Sequence, residues 1–351
     1  MKKIFLIGLT AAAMMASCSN DETVEMAQQK AISFSNAFVN NGTRSIKDPS
    51  FNTDNLEDFA VYGFAENAQN FKGERVYKYL NEEAGTYIWK YDNLQYWVPG
   101  NTYTFGAIAP HSVAANVSNV TLPTGATKVE MEVAFTNTDD VKQVDLLHAA
   151  PAQIAGTAVT PTYKAPVSMT FNHQLSKVKF SFENAVGAGH TVKVSNVKIT
   201  NAYKTGTWKV TGEPANTWSN QADKTLELNF GNVVANDATA DVAANIAFNE
   251  TLESYYEKLM IPMDASATYT VTFTVDLCAG DAVLKSKTFT TQISGVEFKL
   301  GYCYDFKATL DANNITDDPL KPIEFTVNSV TDWNETDINQ DLNVPTTRSG
   351  N

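Results

Sequence analysis

Cysteine, histidine and helical periodicity are all scarce in this chain. It has 3 cysteines among 351 residues, too few for a disulfide-stapled scaffold. Its 4 histidines, His111, His148, His173 and His190, show no metal-ligand spacing. There is no Gly-rich phosphate loop, nucleophile elbow or zinc-protease helix motif. Asp311-Ala312-Asn313-Asn314 with Asp317-Asp318 lacks the order of an EF-hand and reads as a turn. Basic residues are outnumbered, 26 Lys and Arg against 39 Asp and Glu, for a net charge of −13. That balance argues against nucleic acid and anionic lipid as electrostatic partners. Beyond the first eighteen residues no stretch of 18 apolar residues occurs, so nothing later reads as a membrane span. Together these absences point to a protein that is not an enzyme, with no catalytic residue, no cofactor and no metal expected.

The amino end carries a signal. Lys2 and Lys3 precede Ile4 to Ala16, which is apolar or small apart from Thr10. Charge followed by a short apolar run is a secretory signal, too short to span a bilayer. It ends in Met15-Ala16-Ser17-Cys18. This resembles the bacterial lipobox, with Met15 where that motif has Leu, and makes Cys18 the expected lipidation site. Residues 1–17 are then a lipoprotein signal peptide. Acylation would tether the mature chain to a membrane without spanning it.

Strand grammar fills the rest. Ile32, Phe34 and Phe38 share one face of an early strand that runs into Asn40-Asn41-Gly42-Thr43-Arg44, a loop with strong turn chemistry. Such loops are where proteases cut. Short alternating segments follow at Phe59 to Phe64, Thr86 to Lys90, Tyr103 to Ala109, Val129 to Phe135 and Val144 to Ala149. Punctuated by Gly, Pro and Asn, they predict an all-β sandwich. Ala150 to Pro166 is rich in Ala, Thr and Pro, and a domain boundary is placed there. The pattern restarts with Val178, Phe180 and Phe182 alternating with Lys177, Lys179 and Ser181, and continues to Ile323 to Val330. Cys278 and Cys303 both fall on the polar face of their strands. An exposed pair in an oxidising compartment would form a disulfide if the strands were neighbours, so a Cys278–Cys303 bond and two free thiols both stay open.

Several pieces then stand in a telling order. They are the lipobox, the early strand ending in Thr43-Arg44, Phe59-Ala60-Val61-Tyr62-Gly63-Phe64, and Tyr96-Trp97-Val98-Pro99-Gly100 before Tyr103-Thr104-Phe105. After these come Asp145-Leu146-Leu147-His148-Ala149, Phe171-Asn172-His173-Gln174-Leu175-Ser176-Lys177-Val178, and Ile323-Glu324-Phe325-Thr326-Val327 closing on Trp333. The order resembles the fimbrillin (Mfa-like) family of Bacteroidales pilus proteins across almost the whole chain. Ser19-Asn20-Asp21-Glu22 likewise resembles the surface-export signal of Bacteroidetes lipoproteins.

The resemblance implies two tandem transthyretin-like antiparallel β-sandwich domains, here 45–160 and 161–333. It implies a tether and removable first strand over 18–44, cut by an Arg-specific protease between Arg44 and Ser45. It also implies an outer-membrane, cell-surface location in a fimbria, with other pilus subunits as partners through strand exchange. The tail 334–351 holds a candidate donor strand, with Ile338, Gln340, Leu342 and Val344 on one face; a disordered polar tail is the alternative. Two other roles remain open. One is an anchor or tip protein of the same pilus. The other is a glycan-binding surface lipoprotein, suggested by the aromatic cluster Tyr87, Trp89, Tyr91, Tyr96 and Trp97. His148 and His173, inside strand-like motifs, are expected to be hydrogen-bonded structural residues.

Overall fold

The computed structural model describes residues 30–39, 56–140, 143–155, 165–211, 216–315 and 322–332. The chain is all-β. The first strands are β1 (Phe34–Val39), β2 (Asp58–Ala65), β3 (Ala68–Asn81), β4 (Thr86–Lys90), β5 (Tyr103–Ala109), β6 (Val117–Thr121), β7 (Glu130–Thr136), β8 (Leu147–Ala149) and β9 (Val167–His173). They continue with β10 (Ser176–Asn184), β11 (Thr191–Ala202), β12 (Thr205–Val210), β13 (Thr217–Ala222), β14 (Leu226–Gly231), β15 (Val233–Val234) and β16 (Thr251–Ser254). The last are β17 (Lys258–Met260), β18 (Thr268–Ala279), β19 (Ala282–Ser294), β20 (Tyr302–Leu310) and β21 (Phe325–Asp332).

The first body is a seven-stranded sheet in the order β1-β9-β8-β5-β2-β3-β4, faced by a four-stranded sheet β13-β12-β7-β6. The interior strand β2 is buried on both sides, which is why Phe59 to Phe64 reads as an unbroken apolar run. Phe59 and Val61 look into one core with Phe34, Phe71, Trp97, Phe105 and Phe171. Ala60, Tyr62 and Phe64 look into a second core with Met131, Phe135 and Trp208. Gly63 has to lack a side chain, because a Cβ there would stand 2.9 Å from the Phe105 ring and 3.0 Å from Phe71. The second body sets β15-β16-β10-β20-β21, with β17 also on β10, against β14-β11-β18-β19. Phe180, Phe182, Phe230, Phe273 and Phe306 fill the space between them.

The boundary placed near 160 is crossed by strand pairing in both directions. β9 follows it yet sits in the first sheet beside β8 and β1. The β12–β13 hairpin, far into the second half, returns to pair with β7. The Ala/Thr/Pro-rich stretch therefore marks a connection inside the first sheet. The chain first passes from one body to the other at Gln174–Leu175, where composition does not change. Gln174 ties this passage to the β12–β13 hairpin: its Oε1 accepts from Trp208 Nε1 at 3.1 Å and Asn216 Nδ2 at 2.8 Å, and its carbonyl accepts from Trp218 Nε1 at 2.7 Å. Gln143 ties the first body to β17. Its Nε2 donates to Leu259 O at 3.0 Å, and its Oε1 accepts from Leu259 N at 2.7 Å.

The two thiols depart from the expected exposure. Both are free and buried, and they stand on β18 and β20, in opposite sheets of the second sandwich. Cys278 keeps its regular place on β18 opposite Thr191 of β11, the extra residue of the nearby β18–β19 bulge being on β19; it is buried, yet outside the apolar core between the sheets. Cys303 keeps the polar face, beside Lys177, but that face is covered there. Burial pushes its thiol up to about 12, against the opposing pull of Lys177.

Candidate functional site

The part of the chain with an unusual placement is β1. It lies at the end of the seven-stranded sheet and runs parallel to β9, pairing Phe34 with Val167, Ser35 with Ser168, Phe38 with Thr170 and Val39 with Phe171. Val167 N donates to Ser33 O at 2.7 Å. Just before the strand, the main chain bonds to a different segment: Ile32 N donates to Gln95 O at 2.8 Å, and Trp97 N donates to Lys30 O at 3.1 Å. The buried hydroxyl of Tyr91 donates to Ile32 O at 2.7 Å. Residues 30–39 thus close the gap between β9 on one side and the 95–97 segment on the other. Along 34–39, no strand among the described residues pairs with the free side of β1.

The side chains show what the closure buries. Ile32 is 1% exposed and Phe34 is 4% exposed. The Phe34 ring meets Phe59, Phe71, Tyr91 and Phe105 edge-on, with centroids 6.2, 5.7, 5.7 and 6.0 Å away. Each such side chain contributes about 1.5–3 kcal/mol by leaving water, and edge-to-face rings add to that. The side chain of Phe38 lies outside the described residues. Without residues 30–39, the core would keep an apolar groove flanked by the free main-chain edge of β9.

The other sequence-derived sites divide plainly. Cys18, Arg44, Ser45, Ile338, Leu342 and Val344 lie outside the described residues. The five aromatic residues offered as a sugar platform do not form one. Trp97 and Tyr91 are buried, and Trp89 is half-buried against Phe59 with centroids 5.1 Å apart; of the five, Tyr87 and Tyr96 are exposed. His173 Nδ1 pairs with Asp145 Oδ2 at 2.6 Å in the interior. His148 differs from the hydrogen-bonded role expected of it. It lies against the Trp208 ring at 4.9 Å, its Nε2 has no hydrogen-bond partner, and burial, helped by Lys128, holds its imidazole down at about 3. At the segment read as a turn, Asp311 Oδ1 accepts from Asn314 N at 3.0 Å and Asn314 Oδ1 accepts from Asp311 N at 2.9 Å, so Asp311 and Asn314 cap each other, while Asp317 and Asp318 lie outside the described residues.

Reading by sequence missed β9, the partner of β1. Its signal was present, since Val167, Met169 and Phe171 alternate with Ser168, Thr170 and Asn172. The role of 95–97 had no such signal, because its bond to Lys30–Ile32 joins segments some sixty residues apart, as in the Tyr91–Ile32 pair.

A family model described as fimbrillin-like matches residues 43–333. The chain belongs to the fimbrillin-like family. A solved structure with the same fold is a fimbrial protein from Bacteroides vulgatus ATCC 8482, at 15% identity and a TM-score of 0.57, covering 87% of this chain and 99% of that one. A candidate cell adhesion protein from Bacteroides uniformis ATCC 8492 has 14% identity and a TM-score of 0.47, covering 88% of this chain and 99% of its own. No curated protein matches. In this fimbrillin-like chain the model match begins at Gly42's neighbour Thr43, so residues 30–39 precede it.

Proposed function

We propose that this fimbrillin-like chain is a non-enzymatic structural subunit of a cell-surface pilus supporting adhesion. It is exported as a lipoprotein acylated at Cys18 and held at the outer membrane. A protease then cuts between Arg44 and Ser45, and assembly proceeds when a strand from another subunit takes the place of residues 30–39. The observation that carries this reading is the placement of β1: a terminal strand with Ile32 and Phe34 deep in the core, followed by a turn-rich loop with an arginine.

The physical logic is one of vacancy and refilling. A sheet that loses its end strand presents unpaired N–H and C=O groups beside an apolar groove. An added strand restores the ladder and fills the side-chain pockets. The candidate donor is the tail, through Ile338, Leu342 and Val344. Head-to-tail contacts of this kind grow into open filaments when the rotation does not close a ring. While β1 remains covalently attached, it reoccupies its groove faster than any separate chain can enter. Cutting after Arg44 removes that advantage and also severs the body from the lipid on Cys18.

The test is Arg44→Ala. The variant should remain a folded, membrane-bound monomer, and treatment with an Arg-specific protease should yield polymers from wild type alone. Pili formed by the variant at wild-type levels would refute cleavage as the switch and favour an anchor role.

A further inference from the structure

The groove has a direction. β1 runs parallel to β9, and its leading end is bonded on both sides, through Ser33 O to Val167 N and through Ile32 N and Lys30 O to Gln95 and Trp97. A strand that reuses these partners runs the same way, because parallel and antiparallel ladders space their bonds differently. The chain leading into such a strand therefore arrives at the Lys30 end of the groove, beside residues 94–98.

That segment has two sides. Trp97 is buried against the groove, while the alternate residues Leu94, Tyr96 and Val98 are 51%, 44% and 45% exposed. The stripe is held in place from beneath. Gln95 N donates to Tyr91 Oη at 3.1 Å, and Val98 N donates to Tyr103 Oη at 2.7 Å. Both tyrosines are buried. An apolar stripe already fixed in shape loses little freedom when it is covered.

We infer that Leu94, Tyr96 and Val98 form the seat for the body of a second copy of this chain whose strand occupies the groove. The inference rests on the strand-replacement reading above. Two observations name the occupant. The stripe is continuous with the groove, sharing the 95–97 main chain with it. The described body of a second copy ends at Asp332, and its candidate strand starts at Ile338. The six intervening steps reach at most about 20 Å when fully extended. A donor strand in the groove thus brings its own body against the Lys30 end and covers the stripe.

The experiment uses the full chain cut with an Arg-specific protease, comparing wild type with Tyr96→Ser/Val98→Ser and, separately, with Leu94→Ser. Two quantities are read. One is capture of a fluorescent peptide of residues 334–346, which needs the groove alone. The other is polymer yield by sedimentation, which needs the groove and the seat. Thermal melts confirm that the variants fold, as exposed positions allow. Peptide capture should stay within about twofold of wild type while polymer yield falls about tenfold or more, the loss typical of truncating interface anchors. Wild-type polymer yield from variants that capture peptide normally would overturn the seat and leave the groove reading standing. Loss of peptide capture in the variants would show that the stripe supports the groove wall, and would also overturn it. If wild type itself captures no peptide, both readings fall together.

Discussion

Phe34→Ala should loosen β1 selectively. The Phe34 ring is 4% exposed and touches four aromatic rings at 5.7–6.2 Å. Truncating a buried Phe costs about 3–5 kcal/mol when the surroundings relax incompletely. Here the loss is borne by one strand, because β1 is bonded to β9 and to 95–97 and to no further strand among the described residues. The folded body can lose it without unfolding. The cost therefore falls on the opening of residues 30–39, whose population should rise by roughly two to four orders of magnitude at about 1.4 kcal/mol per tenfold. Global unfolding should change less, since the most that can be lost is the docking energy of the strand. Hydrogen exchange in the uncut precursor separates the two. The Val167 amide donates to Ser33 O and reports β1 opening. Amides of β18, which pair with β11 and β19 in the second sandwich, report global unfolding. The variant should exchange Val167 faster by the predicted factor with β18 nearly unchanged. Equal acceleration at both places would refute the idea that β1 opens on its own.

Three further outcomes follow from the interior. His148→Phe should flatten the acid side of the stability profile. The native imidazole stays neutral down to about 3, whereas the unfolded one protonates near 6.5, so wild-type stability is lost as pH falls through that window; thermal melts from pH 7 to pH 4 should drop further for wild type than for the variant. Gln143→Leu leaves the Leu259 N–H and C=O without their Gln143 partners, and urea unfolding should show about 2–3 kcal/mol lost. Cys278 and Cys303 are buried and free, and Cys303 remains a protonated thiol at pH 8; iodoacetamide should leave both unmodified in the native protein and add to both after denaturation, by mass spectrometry.

Much of the fold was legible along the chain. Alternation in Val178, Phe180 and Phe182 and in Tyr269, Val271 and Phe273 announced strands with one buried face, and those residues are buried. The unbroken run Phe59 to Phe64 is the mark of a strand covered on both sides. Ile32 and Phe34, picked out by period two, both reach the first core.

What the sequence determined by itself is therefore which segments are strands and, mostly, which of their faces are apolar, because side-chain alternation is a local property of an extended backbone. Partnership belongs to the tertiary structure. That β1 lies beside β9, that β12 and β13 return to β7, and that Gln95 and Trp97 close the groove are choices among distant segments. They are decided by which pairings bury the most surface, while loop-closure entropy grows too slowly with length to favour near neighbours strongly. The same holds for Cys303: its polar face could be read from its position, but whether that face meets water depends on what packs over it, and local periodicity carries no record of that.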